Sequence, residues 1–447
     1  MKIVTIGAGS LAWGPTINTD FLLNPVLDGA ELMLMDISAG NLDRVSRLLE
    51  RYVREQGFRK TIAATTDLRE ALTDADYVVT AISVGGDRLW RYDAMFPQIY
   101  SIFQPVGDTI GPGGLLRALR HAGPLLEVAR LMREVSRPDA TLTQLTNPMN
   151  PLCDAIEQLG DVRVYGICHG IDDTRHMVAA ALGAEVEDVR IDAAGNNHFI
   201  FCDTIEIAGE VYGQDRFPEL VPQIFDSPFQ REVWDRYGGI VGNHPRHPIE
   251  FLPGFLTQEH RFGLDWGVPP LAVQIDPMRG ERHDAAFELL ERALQQEQPV
   301  RWRTHNQGHG LSVGEDGLLE TGHSREGLDD FIAALETGNP YDIHVNVPNA
   351  GAIEGVDPAY HVELPARFEN DECHRKPIRF NERITAEINR VGQEQHLIAQ
   401  ACVAFDRDVL VEALSLDALV PGKDVAARLI DEMIAFERES LEAYYPV

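Results

Sequence analysis

The chain has 447 residues, of which 44% are hydrophobic and 24% charged, a composition typical of a globular protein large enough for two or three domains. Its net charge of −31 excludes the basic face that a nucleic-acid partner requires and favours solubility. The sequence predicts no membrane span and no secretion signal, and its five widely spaced cysteines suit a reducing, cytoplasmic location.

Strands and helices alternate in the first part of the chain. Buried strands are predicted at 2–7, 31–36, 78–82, 141–145 and 164–168, with helical patterns such as 41–57 and 125–137 between them. This alternation predicts an α/β fold with a Rossmann-like, doubly wound parallel sheet. From residue 188 the pattern favours mixed or antiparallel strands, and long helices are predicted in much of 280–340 and 380–445. We expect a dinucleotide-binding domain at 1–185 and a substrate, metal and oligomerisation domain at 186–447.

Residues 7–12 (GAGSLA) lie between the first strand and a helix and fit the pattern Gly-x-Gly-x-x-Gly/Ala. Gly7 permits a tight turn, and Gly9 lets the backbone approach a pyrophosphate at the helix N-terminus. Asp36 ends the second strand, where its carboxylate can bind ribose hydroxyls and would repel a 2′-phosphate. We therefore predict an NAD site made of Gly7, Gly9, Ser10, Leu11 and Asp36.

Further segments lie where predicted parallel strands end, the edge at which open α/β sheets bind ligands. The segment TNPMN offers Asn147 to a nicotinamide ribose or a substrate hydroxyl, although such an asparagine can equally cap a helix. The segments CHG and GNNHF bring Cys168 and His198, both competent metal ligands, to strand ends that we expect to be adjacent. Taken alone, that pair is better explained as an inert cysteine and a core histidine.

The segment QPVGDTIGPGG at 104–114 contains too many glycines and prolines to be a regular element. We expect a lid or a substrate loop there. Asp108 is the only acid of this segment.

The chain resembles glycoside hydrolase family 4 in a series of motifs and in their order. The motifs are GAGS, LMDI, VGDTIGPGG, TNPMN, GICHG and AGNNHF, followed by VNVPNAG at 345–351 and HVELPA at 361–366. The members of that family are glycosidases that depend on NAD and manganese. The resemblance covers nearly the whole chain, and the expected fold is a Rossmann-like sheet followed by a C-terminal α+β domain like that of lactate and malate dehydrogenases.

The resemblance implies roles for individual residues. Cys168 and His198 hold Mn²⁺, or another divalent cation, against the C2 and C3 oxygens of a sugar. Asn147 contacts the substrate or the cofactor, and Asp108 protonates the leaving glycosidic oxygen. The Cys-His sequence resembles members that cleave unphosphorylated α-linked glucosides, galactosides or uronides. His169 and Arg246 are further expected substrate contacts.

The base that removes the C2 proton is less well defined. Related members have Gly-Asp-x-x-Arg or Gly-Asp-Arg-His after a Tyr-Gly pair, whereas this chain has YGGIVGNHPRH at 237–247. Asn243 or Pro245 occupies the place of the aspartate. The base is therefore His244, His247, another group or a metal-bound hydroxide.

The implied reaction removes hydride from C3, deprotonates C2, eliminates the group at C1, adds water and returns the hydride. One alternative is an NAD-dependent 2-hydroxyacid dehydrogenase of the lactate/malate type, which would accumulate NADH and need no metal. A second is a non-catalytic nucleotide-binding regulator. The expected partners are a small glycoside and further copies of the chain in a dimer or tetramer, with no nucleic acid and no membrane.

Overall fold

The computed structural model describes residues 1–160, 162–225, 227–269, 288–295, 300–303, 312–313, 319–324, 326–370 and 372–446. Within these ranges the chain forms a mixed sheet of twelve strands and a separate sheet of three. None of the helices described is both long and apolar enough to cross a membrane.

The N-terminal strands are parallel, and all but the one at the edge of the sheet are buried on both faces. They are β1 (Lys2–Ile6), β2 (Glu31–Met35), β3 (Thr61–Thr65), β4 (Tyr77–Thr80), β5 (Thr141–Gln144) and β6 (Arg163–Gly166). Their order is β3-β2-β1-β4-β5-β6, which confirms the predicted Rossmann-like sheet. Along β1, Ile3 packs into one hydrophobic cluster and Val4 into another, because successive side chains point to opposite faces.

The strand β3 was not predicted. Its sequence, TIAAT, has small side chains that are partly exposed, because β3 lies at the edge of the sheet. An edge strand covers less apolar surface, so it lacks the apolar run that identifies the central strands.

Helices cover the sheet. They are α1 (Gly14–Leu23), α2 (Ala39–Gln56), α3 (Leu68–Leu72), α4 (Gly86–Met95), α5 (Gly111–Val135), α6 (Met149–Gln158), α7 (Gly170–Leu182), α8 (Phe217–Ile224), α9 (Pro228–Tyr237), α10 (Leu328–Thr337), α11 (Glu382–Val403), α12 (Arg407–Ser415) and α13 (Lys423–Leu441). The predicted helices at 41–57 and 125–137 correspond to α2 and to the second half of α5.

The prediction that all of 104–114 is irregular is wrong at its end. Helix α5 begins at Gly111, and Pro112 occupies its first turn, where a missing N–H costs nothing. A Cβ atom on Gly113 would lie 2.6 Å from the Gly107 carbonyl oxygen, and one on Gly114 would lie 2.6 Å from the Thr109 carbonyl carbon. The glycines therefore let the loop fold back onto the helix that it opens.

The later strands of the large sheet pair antiparallel and the small sheet contains one parallel pair, which agrees with the mixed or antiparallel pattern predicted from residue 188 onward. They are β7 (Val189–Asn196), β8 (Phe199–Ile207), β9 (Glu210–Gly213), β13 (Tyr341–Pro348), β14 (His361–Glu369) and β15 (Glu372–Arg375), while β10 (Val300–Arg303), β11 (Ser312–Val313) and β12 (Leu319–Gly322) form the small sheet. The helices predicted at 380–445 are confirmed. The prediction for 280–340 is wrong at β10, β11 and β12 and in the short stretches on either side of α10, holds at 288–295 and α10, and otherwise falls outside the described residues.

The C-terminal strands continue the N-terminal sheet. Beyond β6 the order is β13-β14-β7-β8-β9, and one row of paired residues, Gly166–Asn346–Glu363–Gly195, crosses from β6 to β7. The expectation that Cys168 and His198 follow adjacent strands is therefore wrong, because two strands lie between β6 and β7. The division into domains at 185/186 stays a prediction.

Candidate active site

The turn after β1 is fixed by its glycines. Gly7 has φ of +89°, and its N–H donates to the Met35 carbonyl oxygen at 2.9 Å. A Cβ atom on Gly7 would lie 2.3 Å from the Ala81 carbonyl oxygen, so only glycine fits between the ends of β1, β2 and β4.

The close contact expected of the third small residue of the motif is made by Gly14 and not by Ala12. Helix α1 begins at Gly14, where a Cβ atom would lie 1.9 Å from the Ala8 carbonyl oxygen. The expectation that residues 7–12 open the helix is thus wrong by two residues, since Ala12 still belongs to the turn.

Asp36 ties this turn to the end of β2. Its Oδ2 accepts the Gly9 N–H at 2.9 Å, and its Oδ1 accepts the Ser38 N–H at 2.8 Å. A Cβ atom on Gly9 would lie 2.8 Å from Asp36 Cγ. In the same turn, Ser10 is half-buried and the Leu11 side chain packs into the core. A cradle that a Cβ would fill, beside a carboxylate at the strand end, fits the pyrophosphate and ribose of NAD.

Asn147 follows β5 and is held through its main chain. Its peptide bond to Pro148 is cis, and its carbonyl oxygen accepts Arg117 Nε–H at 3.2 Å and lies 3.0 Å from His121 Nδ1. The Asn147 amide Nδ2 donates to Asp108 Oδ2 at 3.3 Å. Its Oδ1 is buried without a hydrogen-bond partner among the described residues, so it can accept a hydroxyl from a ligand.

A short chain of hydrogen bonds joins Asp108 to His198 through Thr109. The Thr109 hydroxyl lies 2.7 Å from Asp108 Oδ1 and 2.8 Å from His198 Nδ1. A hydroxyl has one proton, so a hydroxyl that donates to the carboxylate must accept from Nδ1–H. That tautomer leaves the lone pair of His198 on Nε2.

Asp108, His198 and His247 converge, with one ligand atom from each lying within 4.8 Å of the other two. The two imidazole rings are 4.4 Å apart between centroids. Burial, His198 and Arg246 lower the pKa of His247 well below its usual range, so its ring is neutral. One carboxylate and two imidazoles at this separation can hold a divalent cation such as Mn²⁺ or exchange protons with a substrate beside one.

Cys168 is not one of these three, and its role as a metal ligand stays a prediction. It is half-buried after β6, and burial, Glu363 and Glu326 raise the pKa of its thiol well above its usual range. The Asn197 side chain, next to His198, opposes that shift by hydrogen bonding to Cys168. The thiol therefore lies beside the turn that carries His198.

His169 faces a buried carboxylate that no motif of the sequence predicts. Its Nδ1 lies 2.6 Å from Glu326 Oε1, and the Glu326 side chain is almost fully buried. Burial alone would lower the pKa of His169, but the charge and hydrogen bond of Glu326 raise it to about 9. Glu326 thus favours the protonated form of the His169 ring, which lies at the N-terminus of α7.

Of the two candidate bases, His247 lies in the cluster and His244 is exposed. His247 Nε2 accepts the Arg246 Nε–H at 3.1 Å, and His244 Nδ1 accepts the Arg246 main-chain N–H at 3.3 Å. Asn243, at one of the two aligned positions of the missing aspartate, packs against Gly170, where a Cβ would lie 2.4 Å from Asn243 Nδ2.

Sequence reasoning also missed Glu250. This carboxylate is 2% exposed and accepts main-chain N–H groups from the segment that precedes Asp108. Burial raises the pKa of Glu250 to about 8, although the hydrogen bonds from Val106 and Gly107 lower it. The only available signal was an acid three residues after His247.

Two family models match the chain in order. The first, family 4 glycosyl hydrolase, covers residues 2–184, and the second, the family 4 glycosyl hydrolase C-terminal domain, covers residues 193–420. The chain is 28% identical to an α-galactosidase of Rhizobium meliloti, over 99% of this chain and 89% of that protein. It is 27% identical to an α-galacturonidase of Thermoanaerobacter italicus, over 99% and 98% of the two chains.

Solved structures show the same fold. A 6-phospho-α-glucosidase from gut microorganisms, in complex with NAD and Mn²⁺, superposes with a TM-score of 0.77 at 18% identity, over 98% of both chains. Malate dehydrogenase of Plasmodium falciparum gives a TM-score of 0.53 at 13% identity, over 90% of this chain and 99% of that one. This confirms the expected similarity to the dehydrogenases in fold. Since the family models account for both parts of the chain, the protein belongs to glycosyl hydrolase family 4, a family of glycosidases.

Proposed function

We propose that this glycosidase hydrolyses unphosphorylated α-glycosides, namely α-glucosides, α-galactosides or the corresponding uronides, with bound NAD⁺ and Mn²⁺ or another divalent cation. The observation that carries the proposal is the convergence of Asp108, His198 and His247 within 4.8 Å, with Asn147 linked to Asp108. This cluster lies at the edge of the sheet where β1, β4, β5 and β6 end, and the NAD cradle lies at the same edge.

The chemistry is divided between the bound groups and the chain. When bound, the nicotinamide would accept and return hydride at C3, and the cation would polarise the C2 and C3 oxygens as a Lewis acid. His198 would hold the cation through Nε2, together with Cys168, and Asn147 would bind a sugar or ribose hydroxyl through its unpartnered Oδ1. His169, a cation beside Glu326, would bind a hydroxyl or carboxylate of the substrate.

Two proton transfers fall to the residues of the cluster. Asp108 would protonate the leaving glycosidic oxygen, and His247 would remove the C2 proton. His247 can act as a base because its Nε2 keeps a lone pair, to which Arg246 now donates. Arg246 would move its donor to the substrate when His247 accepts the proton.

The sugar class rests on indirect support. The relatives named α-galactosidase and α-galacturonidase favour unphosphorylated α-glycosides, as does the Cys-His sequence at 168–169. The structural relative named 6-phospho-α-glucosidase favours the phosphorylated class. Both classes therefore belong in the test.

The experiment is a panel of nitrophenyl α-glucoside, α-galactoside, α-glucuronide and α-galacturonide, with the 6-phosphates of the first two. NAD⁺ and Mn²⁺ are each omitted in turn. We expect cleavage of at least one unphosphorylated substrate only when both are present, without net NADH absorbance at 340 nm. Solvent deuterium should enter C2 of the product. Cleavage of the 6-phosphates alone would refute the sugar class, and cleavage without NAD⁺ would refute the reaction.

A further inference from the structure

Glu250 connects two segments that each carry a residue of the proposed site. It belongs to a short 3-10 turn, Pro248–Glu250, which directly follows His247. Its carboxylate contacts the segment 104–107, which directly precedes Asp108. The two segments are about 140 residues apart in sequence, and no strand pairing among the described residues connects one with the other.

The contacts are made by several donors. Glu250 Oε1 accepts the Val106 N–H and, at 3.0 Å, the Gly107 N–H. Its Oε2 accepts the Gly107 N–H at 3.2 Å and Gln104 Nε2–H at 3.2 Å. Successive N–H groups around a glycine with positive φ form a concave nest that binds acceptor oxygens, and here the carboxyl group of Glu250 occupies it.

The loop has a second anchor that does not involve the His247 segment. Gln104 is fully buried; its Nε2 donates to the Ile110 carbonyl oxygen at 2.7 Å, and its Oε1 accepts the Gly113 N–H at 3.0 Å. These bonds attach the loop to the start of α5. Among the described residues, Glu250 is the one whose hydrogen bonds attach residues 106 and 107 to the segment of His247.

We propose that Glu250 is a positioning residue that sets the distance between Asp108 and the His198–His247 pair by holding the peptide groups of residues 106 and 107. This inference rests on the proposed function of the cluster. The essential feature is an acceptor oxygen at the distance from the main chain that Glu250 provides, because Oε1 accepts the N–H groups of Val106 and Gly107. The charge of Glu250 is secondary.

The test separates the effect of the side chain's length, which sets the position of the acceptor oxygen, from the effect of its charge. Glu250→Gln loses the charge but keeps an amide oxygen at the same reach, whereas Glu250→Asp keeps the charge but withdraws the acceptor by one methylene. Glu250→Ala removes both. As a matched control, Asp154→Asn alters another buried carboxylate, whose hydrogen-bond partners are Gln158 and His396.

Three quantities are measured on purified protein: the Kd of Mn²⁺ by electron paramagnetic resonance without substrate, the Kd of NAD⁺, and kcat with nitrophenyl and methyl glycosides. For Glu250→Asp and Glu250→Ala we expect kcat to fall about 100-fold, as for a displacement of about 1 Å, with a larger fall for the methyl glycoside. The Mn²⁺ Kd should rise and the NAD⁺ Kd should stay within twofold. Glu250→Gln should lie closer to wild type in each respect.

Equal losses of kcat and of Mn²⁺ affinity in Glu250→Gln and Glu250→Asp would overturn the proposal, since the charge and the length of the side chain would then matter equally. The proposal would also be overturned if Glu250→Asp had the Mn²⁺ Kd of wild type and the same ratio of kcat for the nitrophenyl glycoside to kcat for the methyl glycoside. Its only defect would then be a lower Tm, as in Asp154→Asn. If Glu250→Ala does not fold, the Gln and Asp variants still decide. Failure of the proposed function is distinct, because wild-type protein itself would then show no NAD⁺ or Mn²⁺ requirement.

Discussion

The hydroxyl oxygen of Thr109 lies 2.8 Å from Nδ1 of His198. Histidines that bind metals usually donate their second N–H to a neighbouring acceptor, which fixes the tautomer and orients the ring. Here the acceptor is a hydroxyl whose own proton is directed to Asp108, so a residue of the loop determines which nitrogen of His198 can bind a cation.

Replacing Thr109 by valine should weaken cation binding, because valine keeps the shape of threonine and removes the acceptor of Nδ1–H. We expect the Kd of Mn²⁺ to rise about 10- to 100-fold, the range typical for such outer partners of a metal ligand. Isothermal titration calorimetry measures it. Thr109→Ser should bind Mn²⁺ nearly as wild type, and a valine variant with unchanged affinity would contradict the assignment.

Asp108→Asn should reveal whether this carboxylate acts as an acid. A general acid contributes about 100- to 10,000-fold, and chiefly when the leaving group is poor. We expect the rate with a methyl α-glycoside to fall by that factor and the rate with a nitrophenyl glycoside to fall far less. Equal losses with both substrates, together with weaker Mn²⁺ binding, would instead make Asp108 a metal ligand.

Gly9→Ala should weaken NAD⁺ binding selectively. The new Cβ would lie 2.8 Å from Asp36 Cγ, so the turn or the carboxylate must move. We expect the Kd of NAD⁺ to rise at least about tenfold, or about 1.4 kcal/mol, as measured by fluorescence titration. Gly40→Ala, in helix α2, is the matched control and should bind NAD⁺ normally, because the new Cβ would lie 3.4 Å from Arg44 Nη1, an ordinary contact distance. Similar losses in both variants would argue against the cradle.

The pH dependence of stability should contain a contribution from Glu250. Burial raises its pKa from 4.5 to about 8, so the folded protein holds this proton more tightly than the unfolded chain does. The resulting stabilisation is complete below pH 4.5 and is lost as the pH rises through about 8. Urea unfolding at pH 5 and pH 9 should therefore show a smaller loss of stability in Glu250→Gln than in wild type. An identical loss in both proteins would exclude this contribution.

The features that depend on residues close together in the sequence could be predicted. Apolar runs identified β1, β2, β4, β5 and β6, because strands buried on both faces need them. The glycine motif and Asp36 were both assigned to one NAD site, but their direct contact through Gly9 was not predicted. The resemblance assigned Asp108, His198 and either His244 or His247 to one active site, whereas the convergence of Asp108, His198 and His247 was not predicted.

The remainder depends on contacts between distant residues. Glu250 and Glu326 are single acids in unremarkable surroundings, and only the folded chain brings them to the Asp108 loop and to His169. Choosing His247 over His244 required knowing which side of a three-residue turn faces inward. The position of β13 and β14 between β6 and β7 could not be predicted, because the sequence of a strand does not indicate which other strand it pairs with.

The position of β13 and β14 also determines when the active site can exist. Every motif of the cofactor and metal sites up to His198 has been translated long before residues 341–369, yet in the sheet of the described residues β13 and β14 lie between β6 and β7. A nascent chain of two hundred residues therefore carries an open hydrogen-bonding edge on each of these two strands, and both edges stay unpaired until synthesis has passed β14.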